Sequence, residues 1–141
     1  MSKIPSFDTT PYTPLGVKKP WGKEIHLTPQ GLSYMFKILC IYAGKRISLQ
    51  YHDQKKESWL LKSGRAKLIW QEQEGGELVE TILEEGKVYT CEIGQQHRLA
   101  GITDCEIWEV STPEIGTTYR LEDDYQRGDE TETERAKRNK R

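Results

Sequence analysis

The feature that most limits the fold is a succession of short runs rich in β-branched, aromatic and aliphatic residues. They cover 23–28, 33–43, 46–52, 57–62, 65–72, 77–84, 87–91, 96–100, 104–111 and 117–121. Breaks between them carry Gly31, Gly44, Gly64, Gly75, Gly76, Gly86, Gly94 and Gly101. Several runs alternate apolar and polar residues, the period of a strand with one face turned inward. No long segment shows the 3.6-residue period of an amphipathic helix. Short strands at regular spacing predict an all-β domain, either a sandwich or a closed barrel.

The two ends read differently. Pro5, Pro11, Pro14 and Pro20 fall in the first 20 residues, which rules against a helix there. Residues 1–20 are therefore expected to form a proline-rich arm. The last stretch, GDETETERAKRNKR, has no aromatic or large aliphatic residue, and an acidic block precedes a basic one. Residues 129–141 are expected to be a flexible charged tail or a frayed helix. That leaves 21–128 for the barrel.

Charge and composition narrow the function classes. The net charge of −1 gives no global field to draw nucleic acid or a membrane surface. No apolar run approaches the roughly 20 residues that span a bilayer. The N-terminus lacks the apolar stretch of a secretory signal, so a cytoplasmic chain is expected. Cys40, Cys91 and Cys105 are odd in number and form no CxxC pair, so they read as reduced thiols that pack like small hydrophobes. Cys40 falls in step with Tyr34, Phe36, Ile38 and Tyr42. Trp70 and Trp108 read as core, and Trp21 as a cover over a barrel end. His26, in KEIHLT, reads as a strand-surface residue.

The chemistry-bearing residues gather in RISLQYH and just after it. Gln50 and His52 share a strand face, one pleat apart. The polar linker Asp53-Gln54-Lys55-Lys56 leads into Glu57, which returns close to His52 if the two strands form a hairpin. His97 arrives from a distant segment behind Gly94. Two imidazoles, a carboxylate and an amide oxygen form a hard-to-borderline donor set. It suits Zn, and also Fe(II), Mn, Co or Ni, with room left for water or substrate. Trp59 is in phase with Glu57 and would wall the pocket or stack on a sugar. Arg46 is in phase with Gln50 and His52 and would face the same cavity. Lys37 shares its face with Met35, Leu39 and Ile41, so it reads as pocket-lining or ion-paired.

Gly44, Gln50, His52, Glu57 and Gly64 resemble the first motif of the cupin superfamily, and Gly86, Gly94 and His97 its second. Gln50 stands where that motif has its first histidine, Glu92 where a proline is usual and Gly101 where an asparagine is common. The sequence is most similar to the C-terminal isomerase domain of bifunctional phosphomannose isomerase/GDP-mannose pyrophosphorylases. The shared features are Pro20-Trp21-Gly22, the SLQxH segment Ser48–His52, Glu57 with Trp59, the Ser63-Gly64 turn, and Arg120–Arg127 against RLEDDYGR. The likeness runs from about 18 to 128. Asp53, Gln54 and Ser58 replace histidines common in those domains, and nothing resembles the pyrophosphorylase nucleotide loop.

The resemblance implies a single double-stranded β-helix, or jelly-roll, barrel with one divalent metal held by Gln50, His52, Glu57 and His97, zinc first. It implies a metal-dependent aldose–ketose isomerase converting mannose 6-phosphate to fructose 6-phosphate through an enediol. Arg120 would then grip phosphate or enediolate, Lys37 would supply a second catalytic cation, and Arg46 and Trp59 would bind substrate. A homodimer is expected, with the arm as the exchange element. Two other readings stay open: an Fe(II)-dependent cupin dioxygenase, and a sugar- or metabolite-binding cupin without turnover.

Overall fold

The computed structural model describes residues 3–140. Positions 1 and 2 of the expected arm and position 141 of the expected tail lie outside the described residues. The elements run β1 (Leu15–Lys19), β2 (Gly22–His26), β3 (Met35–Ile41), β4 (Leu49–His52), β5 (Glu57–Ser63) and β6 (Ala66–Gln71). They continue with β7 (Leu78–Ile82), β8 (Val88–Cys91), β9 (His97–Gly101), β10 (Cys105–Ser111), β11 (Thr118–Glu122) and α1 (Glu132–Arg138).

The strands form two sheets, ordered β1-β2-β3-β10-β5-β8 and β11-β4-β9-β6-β7. Every strand pairing is antiparallel. From β3 onward the chain passes back and forth between the sheets and so rolls them around one interior. This is the all-β jelly roll that the runs and the cupin likeness predict.

All ten sequence runs contain a strand. β1 is an addition, because the segment expected to be an arm becomes regular from Leu15. Pro14 and Pro20 bracket it, and it pairs only with β2 at the sheet edge. Prolines are tolerated there because no further ladder needs their missing N–H. The SG turn between β5 and β6 needs its glycine. Gly64 has φ +84°, and a Cβ there would collide with the Asp104 carbonyl.

The interior changes character along the barrel. One layer is apolar: Leu39, Ile107 and Leu61 lie in register across β3, β10 and β5, with Ile41 and Leu99 also enclosed. Burying each such side chain contributes about 1.5–3 kcal/mol. One pleat further, the same register sets Lys37 opposite Glu109, with Glu57 opposite Ser111. The sheets therefore build an oily plug at one end and a charged chamber at the other.

Register also decides which tryptophans are core. Trp108 pairs with Ile38 and sits edge-on to Phe36 at 5.7 Å, with the Lys62 ammonium over its ring. Trp70 is half-buried. The expectation of a core role for these two is corrected: the enclosed pair is Trp21 and Trp59. Both faces of β3 and β10 carry apolar residues, so alternation alone could not tell inside from outside. Cys91 and Cys105 are buried and all three cysteines are free.

Of the two expectations for the C-terminal stretch, a flexible tail or a frayed helix, the structure has the helix, folded over the charged end. Glu130 exchanges backbone hydrogen bonds of 2.9 Å with Thr118. Thr131 then caps α1, accepting from the Glu134 backbone N–H at 3.2 Å. Glu132 and Glu134 in the first turn and Arg135, Lys137 and Arg138 in the last turn complement the helix dipole. This accounts for the order of the acidic and basic blocks. Arg135 is buried, donating to the Glu114 and Gly116 carbonyls at 3.0 and 3.2 Å. Its charges are not left in water because the chamber mouth carries carboxylates that need partners.

Candidate metal centre

Three strand ends meet in the charged chamber. His52 closes β4, Glu57 opens β5 and His97 opens β9. Register brings Gln50 opposite His97, and places Thr118 opposite His52 and Arg120 opposite Gln50. Glu57 Oε1 lies 3.0 Å from His97 Nε2 and 3.4 Å from His52 Nε2. Candidate ligand atoms of these three buried residues all lie within 4.8 Å of one another.

Both rings are held by their other nitrogen. His52 Nδ1 is 2.9 Å from Thr118 Oγ1, and His97 Nδ1 donates to the Gln95 carbonyl at 2.9 Å. Fixing Nδ1 in this way turns both Nε2 atoms toward Glu57, as outer partners of metal-bound imidazoles do. His97 Nε2 is buried, and the Glu57 carboxylate 3.0 Å away is off the line of a hydrogen bond. An inward-facing ring nitrogen left unsatisfied beside a carboxylate fits a cation at that point.

The electrostatics fit as well. Burial lowers the His52 pKa and favours the neutral ring that binds a metal. Burial alone would raise Glu57, yet the Lys55 ammonium and the two imidazoles hold it well below the usual carboxylate range. Burial opposes charge on His97, but the Cys91 sulfur and the Glu57 carboxylate outweigh it and push the pKa up to about 10. Without metal, a proton on His97 thus occupies the position a cation would take.

Gln50 stands at the edge of the cluster. Its Nε2 is 3.5 Å from His52 Nε2, and its Oε1 accepts from Ser48 Oγ at 2.7 Å. A half-turn of the amide would exchange the two and present the oxygen as a fourth donor.

The other expected residues fall into two groups. Trp59, Lys37 and Arg120 line the chamber. Trp59 packs on the His97 ring at 5.2 Å. Lys37 is enclosed and contacts Glu114 at 2.6 Å, Glu24 at 3.4 Å and Glu109 at 3.6 Å. Arg120 donates to the Gly128 carbonyl at 2.7 Å and to Glu130 at 3.2 Å, while its buried Nε has no partner. Arg46 stands apart. It grips Asp124 at 2.7 and 2.8 Å on an exposed surface and is not among the lining residues. The phase argument fails because β4 begins only at Leu49, and Arg46 belongs to an isolated bridge with Ala100.

Sequence reasoning missed much of the chamber. Lys55, read as part of a polar turn, is buried and bridges Glu57 at 3.1 Å, Glu109 at 3.0 Å and Glu114 at 3.5 Å. His26, read as surface, is buried against Glu24 at 2.8 Å. Glu109 is enclosed, and burial with the Glu57 carboxylate pushes its pKa up to about 7 against the pull of Lys37 and Lys55. The one signal for Glu109 was its step of two from Ile107 in EIWEV.

The family described as mannose-6-phosphate isomerase C-terminal matches residues 11–130. The chain belongs to this family. Its match spans the barrel, the candidate metal cluster and the Arg120–Arg127 block. Among curated proteins none matches the sequence significantly.

Solved structures of similar shape include the capsular polysaccharide assembling protein CapF from Staphylococcus aureus, at 15% identity and TM-score 0.61 over 86% of this chain and 33% of that one. KdgF from Halomonas sp. aligns at 10% identity and TM-score 0.60, over 73% of this chain and 89% of that one. Lactobacillus farciminis oxalate decarboxylase, solved as a formate complex, aligns at 19% identity and TM-score 0.65 over 77% and 34%. The family member described here spans about a third of CapF. At these identities the likeness establishes the cupin barrel and no more.

Proposed function

We propose that the chain is a divalent-metal-dependent aldose–ketose isomerase of a sugar phosphate, with mannose 6-phosphate and fructose 6-phosphate as the pair and zinc as the first metal. The observation that carries this reading is the convergence of His52, Glu57 and His97 at the wall of a chamber whose lining also includes Arg120, with its unpartnered Nε. Family membership supports the choice of substrate.

Isomerisation moves a proton between C1 and C2 and develops negative charge on the enediolate oxygens. A bound divalent cation would polarise the sugar carbonyl and steady that charge. His52, Glu57, His97 and a turned Gln50 would hold it. Arg120 offers its free Nε to phosphate or enediolate oxygen. Lys37 and Lys55 offset the carboxylates of Glu24, Glu57, Glu109 and Glu114 around the chamber. Trp59 walls it and excludes water. Glu109 lines the chamber, and a carboxyl poised near neutrality can both take and return a proton. Arg46, committed to Asp124, receives no substrate role.

The deciding experiment is a coupled isomerase assay on the metal-loaded chain, with elemental analysis alongside. Turnover of mannose 6-phosphate that disappears on chelation and returns with added metal is expected. A metal-loaded chain that turns over no hexose or pentose phosphate would end this reading. Replacement Glu109→Gln is expected to lower kcat by about 10²–10⁴-fold. Metal content should stay unchanged, and the pH–rate limb near 7 should disappear. An unaltered limb would assign the proton shuttle elsewhere.

One observation favours a binder without turnover. The chamber cavity is about 50 Å³, against about 300–1,000 Å³ for ordinary small-molecule sites. Arg127, Glu130 and Arg138 form part of its wall. The isomerase reading therefore requires the segment through α1 to move aside. Mannose 6-phosphate is expected to speed amide exchange over 132–138. Unchanged exchange together with absent turnover would favour the binder.

A further inference from the structure

A second cavity, of about 300 Å³, shares the Trp59 wall with the metal chamber but has a different character. It is lined from β5, β6, β7 and β8 and by residues 95–97. β7 and β8 are the edge strands of the two sheets. None of its lining residues is Asp, Glu, Lys or Arg, in a chain where 30% of residues are charged, and the lining His97 turns Nε2 to Glu57 and Nδ1 to the Gln95 carbonyl. Its size reaches the lower end of the range for small-molecule sites, about 300–1,000 Å³.

The walls combine rings with uncommitted polar groups. Trp59, Trp70 and Tyr89 supply aromatic surface. Thr81 Oγ1 accepts from Trp70 Nε1 at 3.0 Å and keeps its own O–H to donate. Tyr89 Oη accepts from the Glu84 N–H at 2.9 Å and likewise keeps its proton. Gln71 donates to the Gly76 carbonyl at 2.9 Å, which leaves its Oε1 free to accept. The half-buried Gln96 amide makes no hydrogen bond among the described residues, and the buried Trp59 Nε1 has no acceptor.

These features select a ligand. The one charge the lining can carry, on His97, is already paired with Glu57 at 3.0 Å, so a phosphate, a carboxylate or a cation would find nothing to compensate its desolvation. Aromatic faces suit the C–H face of a sugar ring, and spare donors and acceptors on several strands suit hydroxyls spread around it. A nucleobase, by contrast, concentrates its polar atoms on its edges. We propose that this cavity is a second binding site, for an uncharged sugar ring, that works without the metal. The proposal goes beyond the isomerase reading and has its own readout, with Trp59 and His97 bordering both sites.

The four tryptophan indole N–H signals of the ¹⁵N-labelled full chain provide the test. Trp21 lines only the metal chamber, Trp70 only the second cavity, Trp59 both, and Trp108 neither. D-mannose, D-glucose and N-acetylglucosamine are titrated with and without chelator, beside mannose 6-phosphate and adenosine. At least one neutral sugar is expected to shift Trp70 and Trp59 saturably, leave Trp21 and Trp108 in place, and do so equally in chelator. Trp70→Ala is expected to abolish the response. Should that variant not fold, Gln96→Ala is expected to weaken binding about fivefold, the loss of one hydrogen bond. The proposal is overturned if none of the three sugars moves Trp70, if the response is lost with chelator, if Trp21 moves with Trp59 instead, or if adenosine alone binds.

Discussion

The His97→Ala chain is expected to lose its metal and its isomerase activity together. His97 and Glu57 contribute the closest ligand pair, at 3.0 Å, and His97 Nε2 makes no hydrogen bond of its own. Loss of an outer partner costs about 10–100-fold in metal affinity. Loss of an inner ligand should exceed that, and metal content should fall from about one ion per chain to near zero. Thr118→Val offers the graded comparison. It removes only the group 2.9 Å from His52 Nδ1 and should weaken the metal within the 10–100-fold range. Removing the His97 ring also leaves a gap beneath Trp59, so a stability loss of about 2–5 kcal/mol is expected as well. Thermal melts of the metal-free chains separate that loss from the loss of ligand. A folded His97→Ala chain that retains a full complement of tightly bound ion would show that the centre lies elsewhere.

Lys55→Ala should give the largest effect on stability. The Lys55 ammonium is enclosed and lies within 3.0–3.5 Å of three carboxylates, those of Glu57, Glu109 and Glu114. Removing it leaves buried negative charge with Lys37 as the nearest remaining cation. Breaking a buried pair from one side costs about 3–5 kcal/mol. The pH dependence has a definite sign. Burial alone would lower the Lys55 pKa, but Glu109 and Glu57 raise it well above the usual lysine value. Its contribution to wild-type stability is therefore full below the unfolded lysine value and is lost as pH rises through the folded one.

In the variant, the three carboxylates lose their ammonium and their folded pKa values rise. Glu109 already stands at about 7. Groups with raised folded values bind extra protons in the native state, so stability falls as pH rises. The gap between variant and wild type should accordingly be small near pH 5 and widen toward pH 8. Urea unfolding of the metal-free chains at several pH values measures it. A uniform difference below about 1 kcal/mol would mean that Lys55 is less committed than its contacts indicate.

The fold was legible because a strand writes itself into local sequence. Alternating faces and glycine breaks located ten strands, and the spacing of Gln50, His52, Glu57 and His97 pointed to donors that the barrel brings to one place. β1 was hidden by its flanking prolines, whose meaning depends on whether a strand is at an edge. The terminal helix was only one of two readings, and its docking was hidden, because GDETETERAKRNKR carries no apolar stripe. It is held by contacts outside the stretch, Arg138 with Glu114 at 3.2 Å and Arg135 with the Glu114 and Gly116 carbonyls at 3.0 and 3.2 Å.

Charged residues mark the boundary between the two kinds of information. A Lys or Glu in a sequence looks solvated until register shows what faces it. Lys55 in its short linker, Glu109 beside Trp108 and His26 beside Ile25 all carry the local signature of surface residues, and all are enclosed. Arg46 shows the converse, having the right phase for the chamber and a place outside it. The sequence by itself determined the all-β class, through short-range periodicity, the rolled barrel, through the cupin likeness, and the donor types of the candidate metal centre, through side-chain chemistry. Only the tertiary structure decided which charges pair inside the chamber and what covers its mouth. Those pairings are made between strands far apart in sequence, where Coulomb attraction in a low dielectric acts on distance in space.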